Sequence, residues 1–143
     1  MVRLTTSILV ALLVTACGSS PMEPIASSAL IGDFGAEHVV LHSTSSGAEI
    51  DYICMAITVS KALTTDADGH FTATGLRHRT GGAPPIEGEG STPVRIDGRA
   101  YRAQGGTIQL VVSDIPEEPG APISWSDAVT LVRDRPATLF LCP

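Results

Sequence analysis

Short apolar runs separated by turn-forming residues fill most of the chain after residue 31, and the spacing typical of amphipathic helices is almost absent. In residues 107–112, Ile108, Leu110 and Val112 fall on one face, as in a strand with one buried side. Such runs predict short strands at residues 37–42, 48–59, just before Asp66, 71–79, 94–96, 100–103, 107–112, 123–133 and 137–142. We therefore expect an all-β, small single-domain fold, an antiparallel meander of about eight strands that closes into a barrel or a sandwich.

Turn-forming residues mark the connections between these strands. Asp66-Ala67-Asp68-Gly69 predicts a hairpin turn, and Asp97-Gly98 predicts a second turn between the runs at 94–96 and 100–103. Residues 81–93 are rich in Gly, Pro and Glu and predict the longest loop. The turn at residues 66–69 lacks the later ligands and the terminal Glu of a calcium loop, so we predict no metal there.

The N-terminal residues predict export. Residues 1–3 include a positive charge, and residues 8–14 form an apolar run that is far shorter than the roughly 20 residues of a transmembrane helix. Val14-Thr15-Ala16-Cys17 then resembles the lipobox of bacterial lipoproteins. The resemblance implies cleavage before Cys17 and lipidation of its sulfur. Two or three acyl chains hold a protein stably on a membrane, whereas one chain holds it only marginally.

The lipobox resemblance implies a division of the chain into three parts. We expect a signal peptide over residues 1–16, a lipidated N-terminus and flexible tether over 17–31, and a β-barrel-like domain over 32–143. The expected partner is a membrane, reached through the lipid on Cys17, in the bacterial cell envelope. Gly18 stands where lipoproteins retained at the inner membrane carry Asp, which implies the outer membrane rather than the inner one.

Two cysteines remain in an exported and therefore oxidising environment. They allow one intramolecular disulfide, between Cys54 and Cys142. We expect Cys54 in the middle of the second strand, facing inward with Ile50 and Tyr52, and Cys142 holding the last strand beside it. Two buried free thiols are the alternative.

Charge and motif content narrow the class of function. The chain has 15 Asp and Glu against 9 Lys and Arg, a net charge of −6, which argues against nucleic acid as a partner. Gly-x-Ser-x-Gly and a paired Cys–His segment are both missing from the sequence. We therefore predict no enzyme, no cofactor and no metal site.

Arginine is concentrated between residues 77 and 102. Arg77 and Arg79 share one face of a predicted strand beside the long loop, where they could bind a carboxylate or an acidic partner. Arg99 and Tyr101 are further candidates for partner binding. The alternative is a solvated strand face paired with neighbouring acidic residues. Trp125 shares a face with Ile123, Val129 and Leu131, which favours a place in the core.

Two family resemblances cover the rest of the chain. The segments 32–38, 52–54, 66–69 and 139–142 resemble small, uncharacterised secreted bacterial β proteins, which imply no activity. Tyr52-Ile53-Cys54, Gly98-Arg99-Ala100-Tyr101 and Cys142 resemble the layout of membrane-bound inhibitors of chicken-type lysozyme, which are lipoproteins with a small β barrel. Asp97-Gly98 replaces the Ser-Gly of the inhibitors' plugging motif, and no Lys follows it.

These observations predict a non-catalytic envelope lipoprotein that presents a small β-barrel binding module. One alternative is a lipoprotein inhibitor of a cell-wall hydrolase, which would act through a projecting loop. A second alternative is a small-ligand-binding barrel, which would have an apolar cavity opening at one end.

Overall fold

The computed structural model describes residues 23–24, 28–81, 90–102 and 106–139. Within them the chain is all-β and contains no helix. No helix in this part of the chain has the length and apolar character needed to cross a membrane. The predicted lipidation site Cys17, its lipobox and Cys142 lie outside the described residues. The strands are β1 (Glu23–Pro24), β2 (Gly32–Gly35), β3 (Val40–Ser43), β4 (Ala48–Asp51), β5 (Met55–Val59), β6 (His70–Arg79), β7 (Thr92–Arg102), β8 (Thr107–Asp114) and β9 (Ser126–Arg133).

The strands from β2 to β9 form a closed barrel. Each pairs antiparallel with the next along the chain, and β2 also pairs with β9 through Phe34 opposite Arg133 and Gly35 opposite Val132. The prediction of an antiparallel meander of about eight strands is therefore confirmed, with the barrel form and not the sandwich. The short β1 pairs with the last two residues of β7, beyond the point where β6 begins.

Alternate residues of each strand fill the barrel interior. Ile108, Leu110 and Val112 of β8 are each at most 1% exposed, as their alternation predicts. The largest fully buried side chains are Phe34, Leu41, Ile50, Ile57, Leu63, Ile96, Ile108, Leu110, Leu131, Val94 and Val112. The described interior is thus a packed apolar core.

The connections between strands lie at two opposite ends of the barrel. One end, here called the Tyr52 end, carries the connections 36–39, 52–54 and 115–125, and it is the end at which β6 finishes and β7 begins. The other, here called the Tyr101 end, carries the connections 44–47 and 60–69, and it is the end at which β7 finishes and β8 begins. The candidate residues divide between these two ends.

The predicted long second strand is wrong, because residues 48–59 form a hairpin of β4 and β5. Asp51 pairs with Ala56, and the Tyr52 amide donates to the Met55 carbonyl at 2.9 Å. The reversal occurs at Ile53 and Cys54, which carry none of the Gly, Asn, Asp or Pro signals of a tight turn. The sequence therefore gives no local signal for this turn.

The predicted turn at Asp97-Gly98 is also wrong, because both residues lie inside the unbroken strand β7. Asp97 pairs with Val111 and Gly98 with Leu110. A Cβ atom at Gly98 would overlap the ring of Phe71, which covers this glycine from β6. Gly98 therefore makes room for an aromatic ring and does not bend the chain.

The ends of several elements also differ from the prediction. The turn at residues 66–69 is confirmed: the Asp66 carboxylate accepts hydrogen bonds from the amides of Asp68 and His70, and Gly69 has φ 81°. The strand predicted just before it is reduced to a single bridge between Ala29 and Thr64. At the C-terminus, Ala137–Leu139 belong to no strand, and the remainder of the predicted last strand lies outside the described residues.

Candidate functional site

An inward-facing arginine ends the core at the Tyr52 end of the barrel. Phe71, Ala73 and Arg77 alternate along the interior face of β6, so the guanidinium caps the apolar layers below it. Its Nη2 lies 3.1 Å from Oδ1 of Asp114 and donates a hydrogen bond to Oδ2 at 3.2 Å. The Asp114 side chain is 6% exposed and that of Arg77 is 22% exposed. This is a largely desolvated ion pair.

Aromatic and hydroxyl side chains surround this ion pair. The Arg77 guanidinium carbon lies 4.7 Å from the centre of the Trp125 ring, and Tyr52 meets that ring edge-on at 6.0 Å and 82°. The Ser124 hydroxyl donates to Oδ2 of Asp114 at 2.6 Å. We call Tyr52, Arg77, Asp114, Ser124 and Trp125 the Arg77 cluster.

The phenol of Tyr52 is held in its neutral form. Burial raises the pKa of Tyr52 above its ordinary value of 10.0, and the neighbouring Asp127 carboxylate raises that pKa further. The buried hydroxyl contacts Asp127 without reaching the geometry of a well-formed hydrogen bond. Tyr52 is therefore a buried polar group that water or a ligand could satisfy.

A cleft of about 820 Å³ opens beside the Arg77 cluster. It lies between the β4–β5 turn and the adjoining ends of β6 and β7, and its described lining consists of His38, Tyr52, Ile53, Cys54, Met55, Arg77, His78, Arg79, Gly90 and Thr92. Four of these side chains are basic, and no Asp or Glu occurs in the described part of the lining. The cleft thus combines apolar walls with cationic and hydrogen-bonding groups.

The structure places the four candidate binding residues in two separate regions. Arg77 and Arg79 both line the cleft, as their shared strand face predicts. Arg99 and Tyr101 point outward from β7, where the Arg99 guanidinium lies 5.2 Å from the Tyr101 ring centre. Arg77 pairs with Thr92 and Arg99 pairs with His70, so the two regions are separated by about 23 Å along β6. They do not form one site.

The outward pair lines a shallower groove of about 550 Å³ on the barrel wall. The Tyr101 hydroxyl donates to Oε1 of Gln109 at 3.1 Å, and Arg99 Nε donates to the Asp68 carbonyl at 3.3 Å. Asp97 accepts hydrogen bonds in this region from Arg95 Nε at 2.7 Å and from the Thr72 hydroxyl. It forms part of a strand and not of a projecting loop.

Cys54 is an exposed residue of the β4–β5 turn and lies on the rim of the cleft. The predicted position in mid-strand, facing inward with Ile50, is therefore wrong, because the chain reverses at Ile53 and Cys54. Trp125 packs partly buried against the core with Val129 and Leu131, as predicted, whereas Ile123 is 56% exposed.

Three ligand-type side chains meet at the Tyr101 end. Atoms of Asp66, Asp68 and His70 lie within 4.8 Å of one another, and all three residues are exposed. Hydrogen bonds from the His70 and Asp68 amides lower the pKa of Asp66. These bonds form the turn, and they account for this arrangement without an ion.

Sequence reasoning missed Asp114, Ser124 and the place of Tyr52. A signal for Asp114 existed: it continues the inward alternation of Ile108, Leu110 and Val112, so its carboxylate had to find a partner inside the barrel.

Comparison with protein-family models, with curated proteins and with solved structures finds no match to this chain.

Proposed function

We propose that this chain is an exported envelope lipoprotein whose barrel is a non-catalytic binding module, with the cleft at the Tyr52 end as its binding site. The lipobox ending at Cys17 supports the lipid anchor and the envelope location. The cleft supports the binding role, since mouths of β-barrels are frequent sites for small ligands.

The observation that carries the binding role is the lining of the cleft. Its volume of about 820 Å³ lies within the range of small-molecule sites, roughly 300–1,000 Å³. Tyr52, Ile53 and Met55 provide apolar walls, and Arg77 and Arg79 provide guanidinium groups. This combination favours a small molecule with an anionic group, such as a carboxylate, on an apolar or aromatic body.

The Arg77 cluster gives the cleft a fixed floor. Arg77 is held by Asp114 on one side and by the Trp125 ring on the other, so its orientation is set before any ligand arrives. Such preorganisation lowers the entropic cost of binding. Below the cluster, Ile50 and Ile57 are fully buried, so the body of a ligand would rest at the barrel end and not in the core.

We also propose the disulfide between Cys54 and Cys142. The Thr138 amide donates to the Glu37 carbonyl at 3.1 Å, which brings the C-terminal segment to the Tyr52 end. The four residues that follow Thr138 can extend up to about 14 Å. The turn that carries Cys54 adjoins the 36–39 connection, because Val40 pairs with Asp51. Such a bond would also remove the Cys54 thiol from nucleophilic chemistry, consistent with a non-catalytic cleft.

Binding is tested with 2-naphthoate, a soluble aromatic carboxylate, titrated by calorimetry into the full-length lipoprotein in nanodiscs. We expect saturable binding that weakens severalfold for the neutral analogue 2-naphthalenemethanol and for Arg79→Gln. Arg102→Gln, at the far end of β7, is the matched control and should bind as the wild type does. Equal binding of the neutral and anionic probes would contradict the proposal.

The anchor is tested separately by metabolic labelling with an alkyne fatty acid in a bacterial host. The wild type should carry the label on the peptide that begins at Cys17, and Cys17→Ser should lose both the label and the processing before residue 17. A normally processed, unlabelled wild type would refute the anchor.

A further inference from the structure

The short strand β1 fixes the N-terminal segment to the Tyr101 end of the barrel. The first residue of β6, His70, pairs with Arg99, so β6 does not cover the edge of β7 beyond Arg99. On that edge Glu23 pairs with Arg102 and Pro24 pairs with Tyr101. The N-terminal segment is therefore attached to the barrel at the end opposite to the cleft.

The strand β1 runs toward the cleft, so its N-terminal residue lies on the side away from the cleft. Because β1 runs antiparallel to β7, moving back from Pro24 to Glu23 leads from Tyr101 to Arg102. Thr92, which lines the cleft, lies at the other end of the same strand. The chain therefore enters the barrel from the side that faces away from the cleft.

The chain between Cys17 and Glu23 is too short for an orientation in which the cleft faces the bilayer. Cys17 precedes Glu23 by six residues, which span at most roughly 20 Å when fully extended and roughly 13 Å as a flexible coil. From Thr92 to Arg102, β7 extends about 33 Å, or about 25 Å of barrel height at a strand tilt near 40°. With the cleft against the bilayer, Glu23 would lie farther from the membrane than this segment reaches.

The end of β7 carries aromatic and cationic side chains suited to a lipid surface, beside the exposed acidic turn that holds Asp66 and Asp68. Tyr101 and Arg99 form a stacked pair on the outer wall, and the exposed Arg102 follows at the end of the strand. Tyrosine rings are enriched where a protein meets lipid headgroups, and arginine pairs with their phosphates.

From this placement we propose that the barrel stands with its Tyr101 end on the lipid headgroups and its cleft toward the aqueous compartment. The inference rests on the proposed anchor at Cys17. It follows that the ligand of the cleft arrives from the aqueous phase and is not drawn from the bilayer beneath.

The single tryptophan of the chain tests this orientation. The acylated full-length protein is placed in vesicles of phosphatidylethanolamine and phosphatidylglycerol, with a minor fraction of lipid that carries a nitroxide on its headgroup. Trp125, at the Tyr52 end, should keep nearly all its fluorescence. A tryptophan at the opposite end, in Tyr101→Trp/Trp125→Phe or in Arg102→Trp/Trp125→Phe, should lose most of it.

Two controls separate the orientation from the anchor. Vesicle flotation and the acyl mass of the N-terminal peptide report the anchor, and their failure overturns the anchor and the orientation together. Flotation with Trp125 quenched as strongly as the reporters at the Tyr101 end overturns the orientation alone. A Gly/Ser insert between Ser20 and Pro21 that doubles the segment should reduce quenching at the Tyr101 end, whereas unchanged quenching would contradict the role of tether length.

Discussion

The guanidinium of Arg77 lies 3.1 Å from a carboxylate oxygen of Asp114, a residue 37 positions away along the chain. A second Arg–Asp pair, Arg95 with Asp97, has a shorter contact of 2.7 Å, but its side chains are 60% and 41% exposed. The two pairs have the same chemistry and differ in burial. Comparing the two pairs therefore measures how burial changes the contribution of an Arg–Asp ion pair to stability.

Replacing Arg77 with Leu should destabilise the barrel by about 3 kcal/mol, because Asp114 would be left as an unpaired buried charge. Arg95→Gln, which removes an exposed pair, should cost at most about 1 kcal/mol. Urea unfolding of both variants measures the difference. Equal losses would mean that the Arg77 cluster adds no more stability than a surface pair does.

Gly98→Ala should destabilise the barrel by roughly 1–3 kcal/mol, because the new methyl group would overlap the Phe71 ring. Gly90→Ala is the matched control, since no atom of the described residues lies within 4 Å of a Cβ atom at that position. Replacing the Phe71 ring with a smaller side chain, in the double variant Gly98→Ala/Phe71→Leu, should recover part of the lost stability. Without such recovery, steric overlap with Phe71 would not be the cause.

The raised pKa of Tyr52 predicts a loss of stability in alkali. Above the ordinary value of 10.0 the unfolded chain ionises this phenol while the folded chain keeps it neutral, so the free energy of unfolding falls as pH rises. Tyr52→Phe should lack this part of the pH dependence. Tyrosinate absorbance, compared between wild type and variant, should place the Tyr52 titration above that of a model phenol. Titration at the ordinary pH would show that the phenol is solvated.

Reduction of the proposed Cys54–Cys142 bond should lower the stability of the barrel by about 2–5 kcal/mol, because the closed loop covers most of the domain. The variant Cys142→Ser should show the same loss without reductant and should not respond to it. Thiol counting under denaturing conditions tests the bond directly. Two reactive thiols at Cys54 and Cys142 in the oxidised protein would exclude it.

The repeating part of the fold could be predicted from sequence because each strand carries its own signal. Ile108, Leu110 and Val112 alternate, and they are buried as the alternation requires. The hairpin at Ile53 and Cys54 could not be predicted, since its turn residues are apolar and its signal is the pairing of Asp51 with Ala56. The turn predicted at Gly98 was wrong for a related reason: the sequence does not distinguish a glycine that makes space for an aromatic ring from a glycine in a turn.

The candidate site was predicted only in part. The alternation of β6 places Arg77 and Arg79 at one end, and both line the cleft. The partner of Arg77 depends on the register of β6 with β7 and of β7 with β8, which brings Arg77 opposite Thr92 and Asp114 opposite Val94. No local pattern in the sequence encodes that register. Arg99 and Tyr101 belong to the same arginine-rich stretch, yet strand length separates them from the cleft.

Closure of this barrel depends on a short seam. Only two residue pairs are described between β2 and β9, Phe34 with Arg133 and Gly35 with Val132, and the Arg133 guanidinium lies 4.6 Å from the centre of the Phe34 ring. These partners come from the first and last strands of the barrel, so closing the seam requires contacts across almost the whole domain. Contacts of such high sequence separation slow folding, typically to milliseconds or seconds in all-β domains. A folding chain with an unformed seam would be an open sheet with two unpaired edge strands, β2 and β9.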